Sequence, residues 1–390
     1  MKPRYSILLK SALAAAGLLS VYVAGCVAVT HPKSSICKAE FGKTPDDKPV
    51  EIYTLRNSKG TEARIMTYGG IVQSLKVPDR NGKLDDIVLG YDDLAGYLSE
   101  KGYFGPLIGR YGNRIGGAKF SLADRTYALA ANNNGHSLHG GRKGFDKVVW
   151  QVAAAKVGEN GPELILTYLS PDGEEGFPGN LKVVAEYSLT EDNELKVEFT
   201  AKTDQPTVLN LTHHSFFNLR SQGNGDILGH EVMIRAGQTT PVDKGLIPTG
   251  EFADVTGTPF DFRKPALIGA RINDPDPVLQ YGSGYNHNWV IAKPLGQFGL
   301  QARVVEPDSG RTMEVWSNEP GLQFYAGNSL DGTVKGKGGV AYQSHAGFCM
   351  EPQHYPDSPN KPQFPSVVLK PGETYHNLII YKFSVQHSTL

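Results

Sequence analysis

Glu351 closes the apolar run Gly347-Phe348-Cys349-Met350 and is followed by the proline-rich loop Pro352-Gln353-His354-Tyr355-Pro356-Asp357-Ser358-Pro359-Asn360. A carboxylate at the mouth of such a run is a candidate proton acceptor. The complementary donor is offered by His213 and His214, embedded in Leu211-Thr212-His213-His214-Ser215-Phe216-Phe217, because imidazole changes charge close to neutral pH. If that stretch is a strand, successive side chains point to opposite faces, so only one of the two histidines can face the chemistry.

The elements that must hold these residues are strands. Leu195-Lys196-Val197-Glu198-Phe199-Thr200-Ala201-Lys202 alternates apolar and polar residues at period two, the mark of a strand with one buried face. It is expected to pair with 181–189 across the turn Thr190-Glu191-Asp192-Asn193, and 300–306 with 312–316 through Asp308-Ser309-Gly310. Further strands are expected at 52–56, 63–77, 120–129, 163–169, 230–234 and 378–385. Amphipathic helical windows are nearly absent, and 45 Gly and 25 Pro punctuate the strands. The predicted fold is all-β, a large antiparallel β-sandwich.

The chain of 390 residues, 39% hydrophobic, can bury a large core. Lys and Arg number 39 against 40 Asp and Glu, for a net charge of −1. That balance leaves no field for a polyanion, and no basic stripe is interleaved with aromatics, so nucleic acid is excluded as a partner. No segment of repeated period and no internal linker divides the chain, so residues 49–390 read as one domain.

The N-terminal residues read separately. Lys2, Arg4 and Lys10 precede an apolar run, 12–24, too short to span a bilayer, so 1–25 reads as a signal peptide. Val23-Ala24-Gly25-Cys26 resembles the bacterial lipoprotein cleavage box, with Cys26 as the lipidated residue. Residues 26–48 read as a polar tether. The expectation is an exported bacterial protein, facing the periplasm or the cell surface and touching a membrane only through its lipid; Val27 in place of Asp points to the outer membrane. Cys37 and Cys349 remain, which excludes a disulfide framework, and Cys349 reads as a buried small hydrophobe.

The two stretches that opened this reading, with a series of others in order, resemble the aldose 1-epimerase (galactose mutarotase) family. The series comprises Thr67-Tyr68-Gly69-Gly70, Gly109-Arg110-Tyr111-Gly112-Asn113-Arg114-Ile115, Asn134-Gly135-His136-Ser137-Leu138-His139-Gly140-Gly141, Gly173-Glu174-Glu175-Gly176-Phe177-Pro178-Gly179, Ile247-Pro248-Thr249-Gly250, Thr258-Pro259-Phe260-Asp261-Phe262 and Gly321-Leu322-Gln323-Phe324-Tyr325. The resemblance implies a two-layer β-supersandwich with the sugar in an open cleft. It implies an isomerase that interconverts the anomers of free aldohexoses such as galactose and glucose, with a monosaccharide as partner and no cofactor or metal. Glu351 is then the base and His214 the acid, since the family usually carries Asn where His213 stands. Arg114 and His139 match positions that bind sugar hydroxyls and the ring-oxygen side, and Asn113 lies in the same motif as Arg114. Separately, Tyr325 and Phe324 are candidates to floor the cleft, because apolar sugar faces stack on aromatics, with core packing an equal reading for Phe324. Arg110 reads as structural and His136 as a turn residue, while Gly140 and Gly141 would let the ligand approach the backbone.

One position departs from the family. Asn286, in Tyr285-Asn286-His287-Asn288-Trp289, stands where the family commonly carries a sugar-binding Asp; the amide keeps an acceptor and adds donors while losing the charge. Three other functions compete: a zinc hydrolase using His139, His214 and Glu351, a glycosidase pairing Glu351 with Glu174, Glu175 or Asp261, and a non-catalytic carbohydrate-binding lipoprotein on the same fold. The zinc reading lacks metal-ligand spacing in the sequence.

Overall fold

The computed structural model describes residues 33–99 and 102–386, which belong to one unit; the expected signal segment and Cys26 lie outside the described residues. The alternation read from the sequence becomes a nine-stranded antiparallel sheet. Its strands run in the order Gln151–Gly158, Gly161–Ser170, Leu181–Leu189, Glu194–Thr203, Tyr375–Val385, Arg311–Ser317, Gly299–Val305, Glu231–Ile234 and Ala266–Leu267. Both expected hairpins are present, with Val183 opposite Ala201 and Val304 opposite Met313.

Two five-stranded sheets complete the layers. One comprises Ser35–Lys43, Pro49–Arg56, Glu62–Met66, Val72–Pro78 and Leu84–Asp86. The other, the cleft sheet, runs Ala253–Asp254, Ala236–Thr239, Asn286–Ile291, Gly321–Tyr325 and Cys349–Gln353. A single core joins all three: Ile65 and Leu75 of the first, Val183, Tyr187 and Ile379 of the nine-stranded sheet, and Trp289, Phe324 and Met350 of the cleft sheet. The α-helices among the described residues are short, Leu94–Ser99 and Pro277–Tyr281.

The structure corrects three boundaries. Ser35–Lys43, read as tether, is a strand paired with Pro49–Arg56. Its polar composition is that of an edge strand, mostly exposed and rich in charge, so the domain begins before residue 49. The expected strand 63–77 is two strands, because Gly69 and Gly70 turn the chain at φ of 63° and 58°. The expected strand 120–129 is a hairpin, Lys119–Leu122 with Arg125–Ala128.

Candidate active site

The polar face of the cleft sheet follows from period-two geometry. Asn286 is opposite Tyr325, Asn288 opposite Gln323, Gln323 opposite Glu351, and Tyr325 opposite Cys349. Directly opposed residues share a face, so Asn286, Asn288, Gln323, Tyr325, Cys349 and Glu351 line one side. His287, Trp289, Phe324 and Met350 line the other and are buried. Phe324 therefore packs in the core and does not floor the cleft, while Tyr325 faces it. A cavity of about 420 Å³ opens over this face, and Asn113, Arg114, His139, His214, Asn286, Tyr325 and Glu351 all contribute to its lining.

His214 reaches Glu351 because the 212–217 segment runs beside the Glu351 strand. Thr212 Oγ1 donates to the Pro352 carbonyl at 2.8 Å, and Phe217 and Phe348 exchange backbone hydrogen bonds of 2.7 and 2.9 Å. Tyr381, on the C-terminal strand, donates its hydroxyl to the Met350 carbonyl at 2.9 Å and pins the strand from beneath. His213 turns away, as alternation requires: its Nε2 meets Ser215 Oγ at 2.8 Å and it is fully buried. His214 Nε2 lies 3.5 Å from Glu351 Oε1.

Arg114 and His139 come from a short antiparallel pairing of Arg114–Ile115 with Ser137–Leu138. Asn113 and His139, at φ of 62° and 51°, exchange bonds: the His139 amide donates to the Asn113 carbonyl at 3.0 Å, and the Asn113 amide donates to His139 Nδ1 at 3.1 Å. Arg114 Nε donates to Asn133 Oδ1 at 3.1 Å. Arg110, fully buried, donates to Ser170 and to the carbonyls of Pro171 and Pro178, a structural clamp as expected. Gly140 and Gly141 serve packing, not ligand approach: a Cβ on Gly140 would lie 1.9 Å from the Gly109 carbonyl oxygen, and one on Gly141 2.2 Å from Glu175 Oε2.

Burial sets the electrostatics. Glu351 is 2% exposed, and its Oε2 has no hydrogen-bond partner among the described residues, so desolvation pushes its carboxyl up to about 8, with Arg114 opposing. Desolvation also pulls His214 down to about 4, and holds His139 well below the usual imidazole range with help from His214 and Arg114. A protonated carboxyl beside a neutral imidazole and a carboxylate beside an imidazolium hold the same single proton, so the pair titrates as one unit.

Residues that sequence reasoning missed complete the wall. Tyr103 lies 4.5 Å ring to ring from His139 and 5.8 Å from His214; it sits in a loop with no periodic signal. Gln323 Nε2 donates to Asn286 Oδ1 at 2.8 Å, a contact that two-residue spacing from Tyr325 could have suggested. Cys349 is buried as expected, but its Sγ also contacts His214 Nδ1 at 3.5 Å.

Ligand-capable atoms of His139, His214 and Glu351 lie within 4.8 Å of one another. The Arg114 guanidinium in the same cavity opposes a dication, so the arrangement suits proton transfer better than metal binding. The glycosidase partners lie elsewhere. Glu174 accepts the Tyr168 hydroxyl at 2.5 Å, Glu175 the amides of Arg142 and Lys143, and Asp261 pairs with Arg263. Among the described residues, Glu351 is the one carboxylate on the cavity lining.

Known proteins resemble this chain in sequence and in fold. The profile of the family described as Aldose 1-epimerase matches residues 51–382. The chain is 46% identical to galactose mutarotase of Bos taurus over 352 residues, 90% of this chain and 99% of the relative. It is 44% identical to that of Homo sapiens over 353 residues, 90% and 99% of the two chains. To aldose 1-epimerase of Escherichia coli (strain K12) it is 34% identical over 341 residues, 87% and 96%. The crystal structure of galactose 1-epimerase from Lactobacillus acidophilus superposes with a TM-score of 0.80 at 25% identity, covering 91% of this chain and all of the other.

These relatives overturn the expected localisation. The expectation of an exported, outer-membrane protein of a bacterium rests on the N-terminal pattern alone, which lies outside the residues matched to the family. The matches at 44–46% identity are galactose mutarotases of mammals, above the 34% of the Escherichia coli enzyme. By fold, ordered motifs and these relatives, the chain belongs to the aldose 1-epimerase family and is an isomerase that interconverts the anomers of aldoses.

Proposed function

We propose that Glu351 and His214 carry the two proton transfers of the isomerisation on free aldohexoses, galactose among them. The observation that supports this reading is the 3.5 Å approach of His214 Nε2 to Glu351 Oε1 on the wall of one cavity. The hydroxyl oxygen at C1 and the ring oxygen are bonded to the same carbon, so an acceptor and a donor this close can address both at once. The Glu351 carboxylate takes the proton from the C1 hydroxyl, the bond between C1 and the ring oxygen breaks, and imidazolium His214 protonates the ring oxygen to release the open-chain aldehyde. Rotation about C1–C2 presents the other carbonyl face. Ring closure returns both protons, from Glu351 to the C1 oxygen and from the C5 hydroxyl to His214.

Midway through this cycle the pair is a neutral carboxyl beside a neutral imidazole, the form that burial favours. His139 and Arg114 would donate to the ring-oxygen side, Asn113 would hold His139, and Asn286 and Tyr325 would meet sugar hydroxyls and the sugar face. A cavity of about 420 Å³ suits one monosaccharide, and the relatives named galactose mutarotase support galactose as a substrate. A carbohydrate binder without activity is not favoured. Polarimetry of freshly dissolved α-D-galactose and α-D-glucose tests the assignment: Glu351→Gln is expected to lose about 10²–10⁴-fold in turnover with its fold intact, and a near-native rate in that variant would overturn it.

A further inference from the structure

Two features of the cavity bear on which aldoses it takes. Asn286 stands where the resemblance places a carboxylate, and its Oδ1 is occupied by Gln323 Nε2 at 2.8 Å. Its Nδ2 donates to nothing among the described residues and belongs to a side chain on the cavity lining. The second feature is the Arg114 guanidinium. Nε is held by Asn133 at 3.1 Å, while its two terminal amino groups make no hydrogen bond among the described residues. Among the described residues the cavity thus sets one guanidinium against a single carboxylate, Glu351; an Asp at position 286 would make the balance two carboxylates to one.

The C6 substituent of a pyranose is attached to C5, next to the ring oxygen. On the reading above, His214 meets the ring oxygen and Arg114 lies on that side, so C6 falls toward the unpaired end of the guanidinium. That end is a planar fork of donors, matched to the two oxygens of a carboxylate. An anionic group there gains Arg114 and, with Asn286 neutral, meets no second carboxylate among the described residues of the lining.

We propose that this cavity accepts aldohexuronates, sugars whose C6 is a carboxylate, beside neutral aldohexoses, with Asn286 as the residue that sets the discrimination. The inference rests on the placement of Arg114 and His214 in the proposed function. Mutarotation of α-D-galacturonate and α-D-galactose at pH 7 is compared for the full chain, Asn286→Asp and the neutral control Asn286→Ser. The native enzyme is expected to turn over galacturonate with kcat/KM within about tenfold of galactose; Asn286→Asp lowers the galacturonate-to-galactose ratio by about tenfold or more, and Asn286→Ser leaves it within about threefold. Normalising each variant to its own galactose rate separates charge from damage to the fold. Acceleration of galactose without galacturonate by the native enzyme, or a ratio that Asn286→Asp does not move, overturns this proposal alone. No acceleration of galactose overturns the proton-transfer reading and this inference with it.

Discussion

The backbone amide of Asn113 donates to Nδ1 of His139 at 3.1 Å, which leaves Nε2 as the protonated nitrogen of a neutral ring. Burial, His214 and Arg114 all hold that ring uncharged, so on the proposed reading His139 donates a hydrogen bond and takes no part in proton exchange. His139→Gln, which keeps a donor, is expected to lose about tenfold in kcat/KM, and His139→Leu about 10²-fold, the range of one to two hydrogen bonds. The pH profile should keep its shape in both; an acid limb that moves in His139→Gln would make His139 the proton carrier instead.

The pair Glu351 and His214 holds one proton between about 4 and about 8. Below that window both groups are protonated and the base is lost; above it both are deprotonated and the acid is lost. The kcat/KM profile, corrected for spontaneous mutarotation, is therefore expected to be bell-shaped, with limbs that belong to the pair and not to either residue. A rate that stays flat to pH 10 would show that no shared proton is used.

Glu351 also makes stability depend on pH. Its folded pKa, about 8, is raised from the ordinary carboxyl value of 4.5, so between these values the native state holds a proton that the unfolded chain has released. Its stabilising contribution is complete below about pH 4.5 and is lost as pH rises through about 8, at up to ~1.4 kcal/mol per pH unit. Gln cannot ionise. The Tm of Glu351→Gln relative to the native protein should climb from pH 5 to pH 9, and parallel Tm curves across that range would contradict the raised pKa of the buried carboxyl.

Gly140 has φ of 86°, and a Cβ there would lie 1.9 Å from the Gly109 carbonyl oxygen. Gly140→Ala combines backbone strain with a clash against backbone, and is expected to cost about 2–4 kcal/mol in denaturant unfolding. Because His139 is the preceding residue, activity should fall as well. Gly135, with φ of 82° and nothing within 4 Å of its Cβ position, is the control; Gly135→Ala should cost about 1 kcal/mol and leave turnover intact.

The amino-acid sequence by itself determined the β architecture, because period-two alternation in stretches such as 181–189 and 195–202 is a local property of the strand. It also carried the ordered motifs of the family and singled out Glu351 and His214, and alternation alone required that only one histidine of the pair face the cleft. It misjudged what local composition does not encode. A polar segment, 35–43, became an edge strand because a neighbour was available to pair with it, and Gly140 and Gly141, read as room for a ligand, are packed against Gly109 and Glu175. Tertiary structure alone decided that 212–217 runs beside 348–352, that Gln323 occupies Asn286, and that Glu351 loses its water. Those outcomes depend on which distant strands become neighbours and how deeply they bury each other, and burial is what moves the proton of the pair from imidazole to carboxyl.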